Sequence, residues 1–471
     1  MNIKIKKIGI IKDSSIELNG LTVVTGQNNS GKTTVGKVLY SVLDAVSNMQ
    51  QKAFNDKYYY VLSQMNKALE SFNFPEMMKR KLSSVSNEAL SVFFIQEYKQ
   101  QIDPNTVITY LEDLKNELKT FDISDPSYAE IYNNYSRRSV VTDINVFQEN
   151  KAKAIEILDK TTADINRDPD LVDYARQSIN KTLNLEFSSQ IQPVALPDVV
   201  SSILITNDEE VYFDIEIADN KIVEKESPVY FKSKYKKIYF IDNPFVMDGS
   251  SPRYFYPRYL DIEEDSMVNS RRIISHDNKL RFIVHGRPTK SIFEENVIDE
   301  NLKGIKDKID SILPGEFLNN NEGEFYVCNN IKLRTSNLAT GSKMFSIIKL
   351  LLQKGEIDEE TMLILDEPEA HLHPRWQNKF AEIIVLLVKE LHTNILLTTH
   401  SPNFMLAIDA YMRKYEIADI TNFYQTKHYE DDIFVDYQCV NDNIDLIYKD
   451  FVKYLSEAKQ LRNAFLHPDE E

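Results

Sequence analysis

Gly26-Gln27-Asn28-Asn29-Ser30-Gly31-Lys32-Thr33 sets two glycines, a lysine and a threonine at the spacing of a phosphate-wrapping loop. The glycines let the backbone curl so that its N–H groups point at the β- and γ-phosphates. Lys32 adds a positive charge, Thr33 offers a hydroxyl to Mg²⁺, and the start of a helix adds its dipole. Such a loop needs a strand before it and a helix after it. Leu21-Thr22-Val23-Val24-Thr25 is apolar and β-branched, and Val35, Val38, Leu39 and Val42 recur at helical spacing from Thr34 onward. The predicted phosphate contacts are Gly26, Asn28, Asn29, Ser30, Gly31, Lys32, Thr33 and Thr34.

A second acidic motif follows another apolar run. Met362-Leu363-Ile364-Leu365 ends in Asp366-Glu367, where Asp366 would hold the Mg²⁺ shell with Thr33 and Glu367 would orient or deprotonate an attacking water. Pro368-Glu369-Ala370-His371-Leu372-His373-Pro374 comes next, and a further strand, Asn394 to Thr399, ends in His400-Ser401-Pro402. In this order the motifs resemble the ABC-type ATPases, in the branch that holds SMC heads, RecF-like repair proteins and OLD-family ATPases. The resemblance implies ATP and Mg²⁺ as cofactors and slow ATP hydrolysis. It makes Asp366 the Walker B aspartate, Glu367 the catalytic base, Ala370 to His373 the D-loop, and His400 a switch histidine touching the γ-phosphate.

The same resemblance asks for a signature loop upstream of Walker B that covers a partner's nucleotide. Leu338-Ala339-Thr340-Gly341-Ser342-Lys343 opens a helical pattern in that position, with Thr340, Gly341 and Ser342 as its nucleotide contacts. Ala339 stands where the family usually has serine; Ser336, Thr340 or Ser342 are the alternatives for its hydroxyl. Asp242-Asn243-Pro244 falls where the family places its Q-loop, but no glutamine is there, and Gln190 or Gln192 is the alternative.

With 471 residues the chain has room for two or three domains. Its two cysteines, Cys328 and Cys439, suit a reducing compartment rather than a disulfide scaffold. No apolar run approaches the ~20 residues that span a bilayer, so the expectation is a cytoplasmic protein with no membrane partner. A net charge of −17 argues against a chain whose main work is neutralising nucleic-acid phosphates. Two local basic stretches, Tyr230 to Lys237 and Lys79-Arg80-Lys81, leave nucleic-acid contact open and fit solvated turns equally well.

Only 12 glycines occur, none between Gly36 and Gly249, and Lys32 and Asp366 lie 334 positions apart. The spacing points to a large, mainly helical insertion; with the resemblance, the expected fold is α/β, an ABC-type P-loop ATPase head carrying that insertion. The expected divisions are 1–45, the first part of the ATPase core; 46–186, the helical insertion; 187–250, an antiparallel meander and core strand; 251–320, a helical subdomain; and 321–471, the rest of the core. Asp103-Pro104, Asp125-Pro126 and Asp168-Pro169 mark helix starts, and Val107, Ile108, Leu111, Leu114 and Leu118 give one helix an apolar stripe. Glu324 to Val327 is read as the return to the core, and the tail as a strand pair followed by a helix from Ile444 to Leu461.

Three side motifs carry less. His371 and His373 have metal-like spacing without a third ligand nearby. Arg462 to His467 resembles the RxxxxH motif of HEPN ribonucleases, but only one clear helix precedes it. The 71 residues after His400 contain an acidic cluster, Glu430-Asp431-Asp432, in a turn and no TOPRIM pattern, so no nuclease is expected in the chain. In layout it resembles the PtuA-type ATPase subunits of Septu and retron anti-phage systems, with the AriA subunit of PARIS similar. That resemblance implies a nucleotide-gated scaffold that dimerises head-to-tail or forms higher oligomers and restrains a separate nuclease effector. The alternative is a RecF- or SMC-like repair ATPase acting on DNA itself.

Overall fold

The computed structural model describes residues 1–71, 104–120, 144–168, 170–196, 198–208, 210–223, 233–248, 274–286, 303–320, 323–428 and 433–466. The chain divides into two compact units. One comprises Met1–Met49, Val172–Tyr259 and Ile273–Glu471, and the other Gln50–Leu171 and Leu260–Arg272.

The first unit is built on an eleven-stranded sheet in the order β6-β5-β4-β1-β2-β14-β13-β3-β12-β11-β7. Its strands are β1 (Asn2–Ile8), β2 (Ile11–Glu17), β3 (Leu21–Thr25), β4 (Ser201–Asn207), β5 (Glu210–Ala218), β6 (Lys221–Val223), β7 (Lys237–Ile241), β11 (Thr361–Asp366), β12 (Asn394–Thr399), β13 (Thr421–His428) and β14 (Val435–Cys439). The run β13-β3-β12-β11-β7 is parallel throughout, and β6-β5-β4-β1-β2 is antiparallel.

Sequence explains both halves. β3, β11 and β12 are buried at every position, as parallel strands covered on both faces must be. On β11, Met362 and Ile364 join the core under the P-loop helix Lys32–Val46, while Leu363 and Leu365 join the core under the helices Thr340–Gln353, Pro374–Leu391 and Pro402–Lys414. β1 and β4 instead alternate buried with half-buried residues. Asp219 and Asn220, both with positive φ (50° and 56°), close the β5–β6 hairpin as a primed turn requires.

Two expectations on elements need correction. Glu324 to Val327 does not return to the main sheet: it lies in β9 (Gly323–Cys328), the middle of a separate three-stranded antiparallel sheet with β8 (Glu316–Asn320) and β10 (Ile331–Arg334). Asn329-Asn330, both left-handed, make a tight hairpin there and keep β9 paired locally. Residues 316–320 are strand rather than helix. The tail is the strand pair expected, β13–β14, and it inserts between β2 and β3. Asp125-Pro126, Glu430-Asp431-Asp432, His467 and Lys79-Arg80-Lys81 lie outside the described residues.

In the second unit, helices Pro104–Thr120 and Ile144–Ile165 bury Val107, Leu111, Leu114 and Leu118 together with Ala154 and Leu158. Lys115 ties them with a 2.9 Å ion pair to Asp159, and pairs with Glu112 of its own helix at 2.9 Å. No described helix is long and apolar enough to cross a membrane.

Candidate functional site at the carboxyl ends of the parallel strands

Parallel register brings the ends of β3, β12, β11 and β7 to one edge, the position where open α/β sheets bind ligands. Val24 stands opposite Thr398, and Leu365 opposite both Leu397 and Ile241. The loops that leave these ends carry Gly26–Thr33, His400, Asp366-Glu367 and Asp242.

The P-loop needs its glycines for different reasons. Gly31 has a φ of 75°, a left-handed conformation that costs other residues strain. A Cβ on Gly26 would collide with the Thr426 hydroxyl of β13. Asn28 and Asn29 are exposed, and Asn29 is also left-handed, with a φ of 64°. Ser30 is buried; its hydroxyl donates to Gln27 O at 2.7 Å, and the Tyr437 hydroxyl of β14 donates to Ser30 O at 2.9 Å. Thr34 N–H donates to Gly31 O at 3.0 Å as the helix begins. At Gly36 a side chain would press on Ile364 and Phe240, which sets the helix close to the sheet.

Lys32 is 5% exposed. Its ammonium donates to Gly26 O (3.0 Å) and Gln27 O (2.7 Å) and lies 3.2 Å from Glu367 Oε1. Thr33 Oγ1 donates to Asp366 Oδ2 at 2.6 Å, and Thr398 Oγ1 donates to the other oxygen of Asp366. Burial pushes the Asp366 carboxyl up; the two threonine bonds oppose this, and the nearby charges of Glu367 and Asp242 add to it.

Glu367 departs from ordinary backbone geometry. Its φ is 49°, a left-handed conformation costing about 1–2 kcal/mol for an L-residue. The Glu367 N–H donates to Thr398 O and Oγ1, both at 3.1 Å, which holds the turn. His400 Nδ1 stands 3.1 Å from Glu367 Oε2. This contact lowers the carboxyl pKa of Glu367 and raises the imidazole pKa of His400, against burial in both cases. Glu369, 1% exposed, accepts a hydrogen bond from Thr399, and burial raises its pKa to about 7.

A cavity of about 130 Å³ adjoins these carboxylates, lined by Asp242, Thr340, Asp366, Glu367 and His371 among others. Thr340 therefore borders the Walker B acids of its own chain. Ala339 is the N-cap of helix Thr340–Gln353 and makes no side-chain cap bond. Gly341 packs closely on the His371 carbonyl, where an added Cβ would come within 3.1 Å, and Ser342 O accepts from Ser346 Oγ at 2.7 Å. His373 has a capping role: its Nδ1 accepts the Arg375 N–H at 3.2 Å at the start of helix Pro374–Leu391.

Neither alternative glutamine reaches the cavity. Gln190 is exposed, and the Gln192 side chain is engaged by Val199 O and the Asn220 N–H. Asp242 lines the cavity at that place; sequence reading located the stretch but gave this carboxylate no role. A signal was present: Ile241-Asp242-Asn243-Pro244 repeats the pattern of Leu365-Asp366-Glu367-Pro368, a buried strand followed by an acid and a proline two residues on. Asp242 Oδ2 lies 3.1 Å from His276 Nε2, and His276 Nδ1 lies 2.5 Å from Glu186 Oε2. Burial opposes the imidazolium, yet the bonds to Asp242 and Glu186 raise the pKa to about 9.

The described part of the basic-aromatic stretch is occupied within the fold. Tyr235 is 1% exposed, Lys236 pairs with Glu360 at 2.6 Å and Lys237 with Asp358 at 2.8 Å.

A glycine loop between a buried parallel strand and a helix, facing an acidic strand end, defines a P-loop nucleotide-binding protein of the α/β class. Its antiparallel half beside a parallel core is the layout expected of an ABC-type head. Residues 21–407 match the family model described as "AAA domain, putative AbiEii toxin, Type IV TA system", and the chain belongs to that family. Comparison with curated proteins found no match. Among solved structures, the chain is similar to an SMC head bound to the C-winged helix domain of ScpA, with a TM-score of 0.39, 11% identity and coverage of 93% of this chain and 96% of that one. The SMC head domain from Thermotoga maritima gives a TM-score of 0.33 at 11% identity, covering 93% and 98%. An Smc head domain with an extended coiled coil from Pyrococcus furiosus, bound to the C-terminal domain of ScpA, gives 0.32 at 10% identity, covering 97% and 98%.

Proposed function

We propose that the chain binds and slowly hydrolyses ATP with Mg²⁺, as the nucleotide-gated subunit of an anti-phage defence complex that holds a separate nuclease effector. One observation carries the nucleotide reading. Thr33 and Asp366, far apart in sequence, meet at 2.6 Å, with Lys32 and Glu367 paired beside them at 3.2 Å.

The residues fit the cation. A hydroxyl and a carboxylate are hard oxygen donors suited to Mg²⁺. Among the described residues no cluster of three His, Cys, Asp or Glu could hold a metal alone, which suits an ion shared with phosphates. Thr33 and Asp366 would hold the Mg²⁺, whose charge would offset that of the phosphates. Gly26–Thr34 would cradle the phosphates and Lys32 would turn from the loop carbonyls to the β/γ-oxygens. Glu367 would orient and deprotonate the water, and His400 would contact the γ-phosphate. Thr340, Gly341 and Ser342 would meet the nucleotide of a second copy in a head-to-tail dimer.

The effector-holding role rests on the layout of motifs and insertion, and on a family description that names a Type IV TA system. Purified alone, the chain is expected to hydrolyse ATP but to cut neither DNA nor RNA with Mg²⁺ or Mn²⁺. Metal-dependent cleavage lost on substituting Glu430, Asp431 and Asp432, or RNA cleavage lost in His467→Ala, would overturn the scaffold role. Hydrolysis strongly stimulated by DNA would favour the repair reading instead.

A further inference from the structure

Asp242 is the one acid of the cavity tied away from the P-loop, and what ties it is unusually well fixed. Its partner His276 opens helix His276–His285 and is gripped from both ends. Glu186, 6% exposed, accepts the His276 backbone N–H on Oε1 at 2.9 Å and meets Nδ1 with Oε2 at 2.5 Å. The imidazole is flanked by the rings of Phe240 on β7 (centroids 4.4 Å apart) and Tyr40 on the P-loop helix (5.8 Å). Glu186 ends helix Leu171–Glu186, and its carbonyl accepts from Lys37 Nζ of the P-loop helix at 2.9 Å. Lys279, one turn after His276, reaches Asp44 of the same helix at 2.5 Å.

With a carboxylate on each ring nitrogen, the Phe240 ring tilted against it and the Tyr40 ring edge-on, the imidazole is held in its orientation. The second carboxylate, Asp242, has its side chain on the cavity shared with Asp366 and Glu367.

Resting on the nucleotide reading above, we propose that His276 is a positioning residue: anchored by Glu186, it fixes Asp242 in the cavity wall so that Asp242 takes an outer-shell contact to the hydrated Mg²⁺ of the bound nucleotide. The chain Asp242–His276–Glu186 then makes cation affinity depend on the end of helix Leu171–Glu186. Outer-shell partners of this kind are typically worth tenfold to a hundredfold in metal affinity.

The test is a Mg²⁺ titration of ATP binding, followed with a fluorescent ATP analogue, in the full chain and in Asp242→Asn, His276→Gln and the double variant. The expected result is a rise of about tenfold in the Mg²⁺ midpoint for Asp242→Asn. A smaller rise is expected for His276→Gln, and the double variant should equal Asp242→Asn, because His276 acts through Asp242. Unchanged midpoints, or additive rises in the double variant, would overturn the proposal. Asp242→Asn is nearly isosteric and decides the matter alone if His276→Gln fails to fold. A wild-type chain that binds no ATP would instead overturn the nucleotide reading.

Discussion

The two halves of the large sheet put polar groups to different uses. In the antiparallel half, charge sits at the surface: Asp13 of β2 lies 3.8 Å from Lys4 and 3.2 Å from Lys6, all with side chains more than 40% exposed. At the carboxyl ends of the parallel strands, charge is buried and crowded. Lys32 is 5%, Asp366 9% and Glu369 1% exposed, and Glu367 sits beside them in a left-handed turn. Exposed pairs contribute little and buried ones cost desolvation. Buried charge crowded at one sheet edge is the arrangement the nucleotide reading calls for, and substitutions in the two halves test it.

The sharpest separation is expected from Glu367→Gln. Losing the general base should slow hydrolysis by about 10²–10⁴-fold, while ATP binding and thermal stability stay close to wild type. Hydrolysis at the wild-type rate, measured by phosphate release, would remove Glu367 from the role of base and blur the contrast between the halves.

Core truncations compare the halves directly. Ile364 on β11 and Ile5 on β1 are each 0–1% exposed, so Ile364→Ala and Ile5→Ala should each cost about 2–5 kcal/mol in chemical denaturation. Only Ile364→Ala should also weaken ATP binding, because Ile364 supports the P-loop helix at Gly36. Equal loss of nucleotide affinity in both variants would show that the halves are not functionally distinct.

Acid titration gives a third contrast. The folded pKa of Glu369, about 7, exceeds its ordinary 4.5. Below pH 4.5 the group is protonated in both states and contributes nothing. As pH rises toward 7 the unfolded chain ionises first, and the folded state loses stability on the order of 3 kcal/mol before levelling off. Glu369→Gln should therefore gain stability over wild type through that window. Asp13→Asn should change stability by less than about 1 kcal/mol, and less still at high salt. A flat pH dependence in the wild-type minus Glu369→Gln difference would contradict the buried, neutral carboxyl.

The smallest effect concerns Trp376. It is half-buried and meets Phe345 of helix Thr340–Gln353 edge-on, at 5.5 Å between centroids. ATP should change its emission modestly in wild type and Glu367→Gln and not in Lys32→Ala. A constant spectrum with ATP bound would mean that the two helices keep their packing.

Much of this edge was legible in the chain. The P-loop, the Walker B strand and the strand before His400 are short apolar runs with their functional residues directly attached, so local pattern locates them. Asp242 carried a local signal, the strand–acid–proline pattern it shares with Asp366, but its place beside that acid depends on β7 pairing with β11. His276 and Glu186 are 90 positions apart, and no local period connects them. The insertion of β13–β14 between β2 and β3 likewise follows from pairing over some 400 positions, and the three-stranded sheet from hairpins whose alternation resembles any other strand. Thr340 opens a helix, Thr340–Gln353, as its periodicity predicts; that it borders Asp366 and Glu367 of its own chain depends on packing alone.

Equilibrium binding of ATP with Mg²⁺ to wild type and Lys32→Ala tests the central claim most directly. Calorimetry should show a site on the wild-type chain that requires Mg²⁺. In Lys32→Ala the affinity should fall by about two orders of magnitude, since the loop's one side-chain charge toward the phosphates is gone. Equal affinity in the two proteins, or no binding by wild type, would contradict the account.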